Sequence, residues 1–215
     1  MATNRPTFRP TENGPYVLEN AGKLTRIADG RIFEIEGKAA LCRCGGSRNK
    51  RFCDGTHTTS GFTSAKDPDR VPDKRESYEG RELTIHDNRG LCAHSARCTD
   101  NLKSVFRLGT EPWIDPDGAT GDEIKKTIAM CPSGALSWSI GGTEYRDRGG
   151  EPQILIAPHG PYAIAGGVNL EGVEMMEGGT LDHFDLCRCG KSKNKPFCSG
   201  AHWEVDFDED APPRE

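Results

Sequence analysis

Residues 42–57 read CRCGGSRNKRFCDGTH, and residues 187–202 read CRCGKSKNKPFCSGAH. Each stretch sets cysteines at its first, third and twelfth positions and a histidine at its sixteenth. The chain therefore holds two copies of C-x-C-x8-C-x3-H, 145 residues apart. Cys42, Cys44, Cys53 and His57 in one copy, and Cys187, Cys189, Cys198 and His202 in the other, are sulfur and imidazole donors packed into short, glycine-containing loops. Nine cysteines, an odd number, are many for a chain with no sign of an oxidising compartment. Clustered cysteines under reducing conditions point to metal ligation rather than disulfides.

The repeat extends beyond the cysteines. NGPYVLENAGKL begins at Asn13 and HGPYAIAGGVNL at His159, 146 residues later. Short apolar tails, TTSGF and WEVDF, follow the two motifs. A repeated unit of this size, present twice, fits a pseudo-twofold pair better than a solenoid. PYVLE, IFEIEG and PYAIAG have β-favouring composition bounded by glycine. Residues 63–80 are charged and contain proline, the pattern of a linker. RDRGGEP (146–152) marks a second boundary, and DFDEDAPPRE has the composition of a frayed acidic tail. In the middle, RELTIHD and ALSWSI suit strands. TDNLKSVF, opening on Thr99 and Asp100, suits a short helix, as does GATGDEIKKTIAM with its acidic first turn. The expected organisation is residues 1–70, 75–145 and 150–215. The expected class is α+β, small and loop-rich, with 26 glycines and 14 prolines in 215 residues.

Composition narrows the function. A net charge of −5 argues against nonspecific nucleic-acid binding. No apolar run approaches the ~18 residues that span a bilayer. The first residues lack the apolar core of a secretory signal. These features lead to the expectation of a soluble, cytoplasmic protein. No phosphate-cradling loop or nucleophile–base pair stands out, so enzymatic turnover is not expected.

The spacing admits two chemistries. Three thiolates and an imidazole are a standard structural zinc set. The same four donors can hold a [2Fe–2S] cluster, two per iron, and C-x-C is tight for a single ion. Cys53 and His57, at i and i+4, would share a helix face. Asp54 and Ser199 stand at matching N-cap positions. In the middle segment CAHSARC begins at Cys92 and CPSGAL at Cys131. Cys92 and Cys98 take the outer positions of a ferredoxin-like triplet, Ser95 takes the centre, and Cys131-Pro132 supplies the remote ligand. Three thiolates suit [3Fe–4S]. A [4Fe–4S] cluster with His94, Ser95 or water at the fourth iron is the alternative.

Both repeated motifs resemble the CDGSH iron–sulfur (NEET) family, whose pattern is C-x-C-x2-[ST]-x3-P-x-C-D-G-[STA]-H. Arg51 replaces the usual proline in the first copy, and Ser199 the usual aspartate in the second. The resemblance implies [2Fe–2S] at each set of three cysteines and one histidine. It also implies two β-rich domains paired as the family's homodimer is, here within one chain, so a monomer with an internal pseudo-twofold. The middle segment resembles the divergent single-cluster ferredoxin domain that often accompanies such domains, including PWIDPDGA at 112–119.

Three thiolates and a neutral histidine leave an oxidised [2Fe–2S] complex at −1 rather than the −2 of an all-cysteine site, which raises its potential. Basic islands, net +3 over 42–57 and +4 over 187–202, push the same way, or dock an acidic redox partner, or are simply solvated. A ligating imidazole whose outer nitrogen reaches water can couple electron uptake to a proton. The leading expectation is one-electron transfer with redox partner proteins. Cluster storage, transfer to apo-proteins or redox sensing is the alternative, and a structural zinc protein the third. His86, His159 and His183 are expected at the surface or in turns. Phe52 and Phe197 are expected to pack in the core or shield a cluster.

Overall fold

The computed structural model describes residues 5–211. The first part of the chain forms β1 (Thr7–Pro10), β2 (Tyr16–Glu19), β3 (Gly22–Arg26), β4 (Ile32–Ile35) and β5 (Lys38–Leu41). The middle forms β6 (Arg75–Glu79), β7 (Thr84–Asn88), α1 (Arg97–Asn101), α2 (Gly121–Ile128), β8 (Leu136–Ile140) and β9 (Thr143–Tyr145). The last part forms β10 (Gln153–Ile156), β11 (Tyr162–Ala165), β12 (Asn169–Leu170), β13 (His183–Leu186) and α3 (Ala201–Glu204). The short strands, few helices and long loops are those of a small α+β protein. No helix is long and apolar enough to cross a membrane.

Three sheets result, and two of them mix the halves of the chain. One runs β12–β1–β2–β5, the other β13–β11–β10–β3–β4. In each, a hairpin from one half (β1–β2 or β10–β11) carries the strand that leads into that half's cysteine loop. The outer place beside the hairpin is filled by the other half: β12 lies parallel to β1 with Thr7 opposite Asn169, and β3 lies parallel to β10 with Thr25 opposite Leu155. This exchange is the pseudo-twofold that the duplicated approaches implied. Alternation explains why the hairpins form. Tyr16 and Leu18 on β2, and Tyr162 and Ile164 on β11, are buried while their neighbours are not.

The buried faces meet in one core in which Phe8, Tyr16, Leu18 and Leu41 join Tyr162, Ile164, Phe184 and Leu186. At its centre the rings of Tyr16 and Tyr162 pack edge to face, 6.1 Å apart. Each hydroxyl crosses to the opposite half. Tyr16 donates to the carbonyls of Cys187 and Pro196, both at 2.9 Å, and Tyr162 to those of Cys42 at 3.1 Å and Arg51 at 2.8 Å. A buried tyrosine hydroxyl needs such a partner. Its partner here is the backbone of the other copy's metal loop. Phe52 and Phe197 bridge to Leu41 and Leu186 respectively, in line with their expected packing role.

The middle sheet runs β6–β7–β8–β9, antiparallel throughout. Its first strand lies inside the expected linker. Residues 75–79 pair with β7, and charge is tolerated there because β6 is an edge. Helix α2 starts where the acidic first turn placed it, closed by a reciprocal capping box between Thr120 and Glu123. Helix α1 starts at Arg97, two residues before the expected Thr99. Left-handed backbone at Ala96 (φ 58°) turns the chain into the helix, and the Thr99 hydroxyl bonds back to the Ala96 carbonyl. The expected acidic fray is also corrected. Phe207 and Glu209 are buried, and residues 212–215 lie outside the described part.

Replacing Tyr16 or Tyr162 by phenylalanine strands the carbonyl of Cys187 or Cys42 respectively and should destabilise the protein by about 1–3 kcal/mol each. Because the rings touch, the double variant should depart from additivity in a denaturant-unfolding cycle.

Candidate metal centres

In the first copy β5 delivers Cys42, and the loop turns at Gly45. The Cys42 and Cys44 sulfurs lie 3.9 Å apart, and the Cys53 sulfur lies 3.4 Å from His57 Nδ1. Backbone amides of Gly46 and Gly55 point at the Cys44 and Cys53 sulfurs, each at 3.4 Å. The second copy repeats this: Cys187 to Cys189 is 3.8 Å, Cys198 to His202 Nδ1 is 3.5 Å, and Lys191 and Gly200 amides approach Cys189 and Cys198 at 3.5 Å. All eight sequence-predicted donors are thus gathered, four to each loop, as two pairs per site. No three of the eight lie within 4.8 Å of one another.

The expected helix carrying Cys53 and His57 is not formed. Gly55 (φ 90°) and Gly200 (φ 79°) break the backbone after the third cysteine, and the helical turns begin only at Thr56 and Ala201. Neither Asp54 nor Ser199 is an N-cap. Asp54 instead braces its loop, accepting from the Thr56 hydroxyl at 2.7 Å and from the amides of Arg48 at 2.9 Å and Thr56 at 3.1 Å. These bonds hold its carboxyl well below the usual range.

The middle site is assembled from three elements. A single 3₁₀ turn, Arg89–Leu91, leads to Cys92, α1 carries Cys98, and Cys131 follows α2. The three cysteines line one cavity of about 20 Å³ together with Ser95, Asp87 and Trp113. Ser95 thus faces the space between the thiols. His94 does not line it, and packs instead against Gly200.

All nine cysteines are free. Within each C-x-C pair one thiol hydrogen-bonds the other, which holds one sulfur of the pair below the ordinary thiol range and pushes its partner above it. Burial pushes Cys92 up to about 12, and raises Cys98 and Cys198. Thiolates in such surroundings require a cation to compensate them. Metal binding supplies it, so the donor sets fit a metal group.

The basic islands are only partly surface. Arg43, Lys50, Arg188 and Lys195, which correspond pairwise between copies, are all buried. Arg43 donates to the Thr11 carbonyl at 3.1 Å and stacks on Tyr16. Arg188 donates to the carbonyls of Gly160 and Ala157 at 2.8 and 2.9 Å and pairs with Glu209 at 2.6 Å. Arg48, Lys191 and Lys193 remain exposed.

A family model described as an iron-binding zinc finger of CDGSH type matches residues 13–58 and again 159–203, and one described as a divergent 4Fe–4S mono-cluster matches 78–140. The chain is two CDGSH domains flanking a divergent single-cluster domain. It is an iron–sulfur protein. No curated protein and no solved structure matches it significantly. The CDGSH matches cover the duplicated approaches as well as the ligand loops, so the tyrosines that reach across the pseudo-twofold belong to the repeated unit.

Among the remaining histidines, His159 is exposed beside Asp208, and His86 lies half-buried between Ser77 and Ser139. His183 departs from expectation. It is buried on β13, 3.1 Å from Asp182, because the strand leading into the second CDGSH loop is covered on both faces. Sequence reasoning also missed Asp185, fully buried two residues before Cys187. Burial raises its carboxyl to about 7. The Arg188–Glu209 pair was missed as well, hidden in what resembled a solvated tail.

Substituting Glu209→Gln leaves Arg188 buried without a counter-charge and should cost about 3–5 kcal/mol at neutral pH. Burial opposes ionisation of Glu209, but Arg188 and Arg26 overcome it and hold the carboxyl below its ordinary 4.5. The pair's contribution is therefore complete above that value and lost as pH falls through the lower folded value. Denaturation curves of the wild type and E209Q should converge in acid. Asp185 has the opposite sign. Its folded form keeps a proton that the unfolded chain gives up, so stability falls from about pH 4 to pH 7. Asp185→Asn should stabilise the protein at pH 8 and not at pH 4.

Proposed function

We propose that the protein transfers single electrons through three iron–sulfur clusters: a [2Fe–2S] cluster on Cys42, Cys44, Cys53 and His57, a second on Cys187, Cys189, Cys198 and His202, and a [3Fe–4S] cluster on Cys92, Cys98 and Cys131. The observation that carries the cluster assignment is the splitting of each CDGSH donor set into two pairs. A single tetrahedral zinc would draw its sulfur donors to about 3.8 Å from one another. Pairs at 3.4–3.9 Å that form no group of three within 4.8 Å suit two metal atoms, two donors each. In the middle, three thiols line a cavity shared with Ser95, Ser133 and the Asp87 carboxylate, and the lack of a fourth thiolate there favours the three-iron form.

When bound, the clusters supply the reversible one-electron chemistry. The chain sets its terms. Histidine in place of a fourth thiolate makes the complex less negative, and amides aimed at the sulfurs withdraw charge, so both favour electron uptake. Proton coupling belongs mainly to the first site. His57 is partly exposed, whereas His202 is buried. The exchanged strands and shared core support a monomer that carries its own pseudo-dimer. The partly exposed Cys53 and His57 favour a second reading, release of the first cluster to apo-proteins.

Protein purified without air should be coloured and carry seven irons and eight sulfides per chain for the proposed set; eight of each would replace the three-iron cluster by a cubane, and zinc without sulfide would end the reading. Reversible reduction without cluster loss favours electron transfer, and rapid loss to an apo acceptor favours the second reading. In pH-resolved redox titrations the first site's potential should fall with rising pH by up to about 59 mV per unit, while the second stays nearly flat near neutrality. A pH-independent first site would remove proton coupling.

A further inference from the structure

The two CDGSH loops have the same ligands, the same spacing and the same strand scaffold, yet they meet solvent differently. In the second, Cys189 and His202 are each 6% exposed and Cys198 is 3% exposed. Their counterparts Cys44, His57 and Cys53 are all partly exposed.

Two coverings make the difference: Cys189 packs with Phe207 and Val205, which follow its own loop, and the middle domain lies against Gly200, between Cys198 and His202. The loop after Cys92 folds through two left-handed residues, His94 (φ 53°) and Ala96 (φ 58°). That turn lays the His94 imidazole on Gly200, between Cys198 and His202. A Cβ at Gly200 would fall 2.7 Å from His94 Nδ1, whereas one at the matching Gly55 would meet nothing within 4 Å. A second tie fixes the contact. Asn194, 2% exposed, donates to the carbonyl of Gly90 at 2.8 Å, two residues before Cys92. Its counterpart Asn49 is exposed. No hydrogen bond among the described residues joins 75–145 to the loop 42–57.

The two CDGSH loops in turn touch each other across the pseudo-twofold. A Cβ at Gly45 would fall 2.4 Å from the Cys189 carbonyl oxygen, and one at Gly190 would fall 2.3 Å from that of Cys44. Glycine at both positions, each with positive φ, lets the backbones next to the ligands meet. The contacts therefore run in one order. The middle site touches the second site through His94 and Gly200, and the second touches the first through Gly190 and Gly45.

We propose that the second CDGSH site is an internal relay between two solvent-reachable ends, the middle site and the first CDGSH site. This rests on the electron-transfer reading above and adds its route. One electron moves at each step, one centre being oxidised as its neighbour is reduced, with no bond made or broken. At the ends the exchange is with external one-electron carriers. His94 acts here as a positioning residue that closes the second site to solvent and holds the middle loop against it.

The test uses the whole, cluster-loaded chain. Iron and sulfide counts and the visible spectrum first establish that three clusters are present; their absence would fail the functional reading and not the route. H57C and H202C, each shifting the g-values of one site, assign the two CDGSH signals. Electron spin relaxation is then measured with a soluble dysprosium chelate. The chelate should speed relaxation of the first site several-fold more than that of the second. Spin–spin broadening from the middle cluster should appear on the second site's signal. In H94A the second site should become accessible to the chelate, and its broadening should weaken. N194A provides the same loosening if H94A loads poorly. Equal chelate effects on the two CDGSH signals in the wild type, or broadening confined to the first site, would overturn the relay.

Discussion

Each half of this protein is completed by the other. The hairpin β1–β2 takes its fourth neighbour from the second half, β10 takes β3 from the first, and the tyrosine at the heart of each hairpin hydrogen-bonds to the opposite metal loop. A loop of sixteen residues with two or more glycines has little structure of its own. The buried carbonyls of Cys42 and Cys187 are satisfied from outside the loop, and buried carbonyls left unpaired are expensive. The cross-over tyrosines do this, so the geometry of one copy's sulfurs depends on the folding of the other. The metal loops and the core are therefore one cooperative unit rather than two metal-held domains on a string.

That dependence explains where charge sits. Arg43 and Arg188 follow the first cysteine of each loop and are buried against Tyr16 and Tyr162 respectively. Backbone carbonyls hold both guanidinium groups, and the second is paired with a carboxylate as well. Glu209 is drawn out of the acidic tail to meet it. Half of the basic residues in the two islands are buried, so the islands of positive charge are shared between the interior and the surface.

The ligands were legible because metal spacing is written locally, in sixteen consecutive residues, and the duplication was legible because GPY recurs at matching distance before each loop. Strand exchange was not, since parallel pairing of β3 with β10 joins residues some 130 positions apart and leaves no local pattern. The charged segment 75–79 resembled a linker because an edge strand can carry Arg75, Glu76 and Glu79 without burying them. Thr99 resembled a helix start because hydroxyl caps are the common signal, and here a left-handed alanine immediately before the helix does the work instead. Residues 206–211 resembled a fray because the partner that buries Glu209 lies in another segment.

The two departures from the CDGSH pattern acquire a physical meaning once the packing is known. Asp54 stands in the open copy, where its carboxylate is exposed and free to brace the loop through Arg48 and Thr56. Position 199 lies beside the middle domain, where the His94 ring crowds the adjacent Gly200. A carboxylate there would be desolvated between a thiolate-bearing loop and its neighbour, close to the already buried Asp185. Serine keeps a small polar group and removes the charge. The substitution is thus the local cost of docking the middle domain on one side of a duplicated pair. The same docking covers the Cys198–His202 side of one copy, while Cys53 and His57 of the other stay partly exposed.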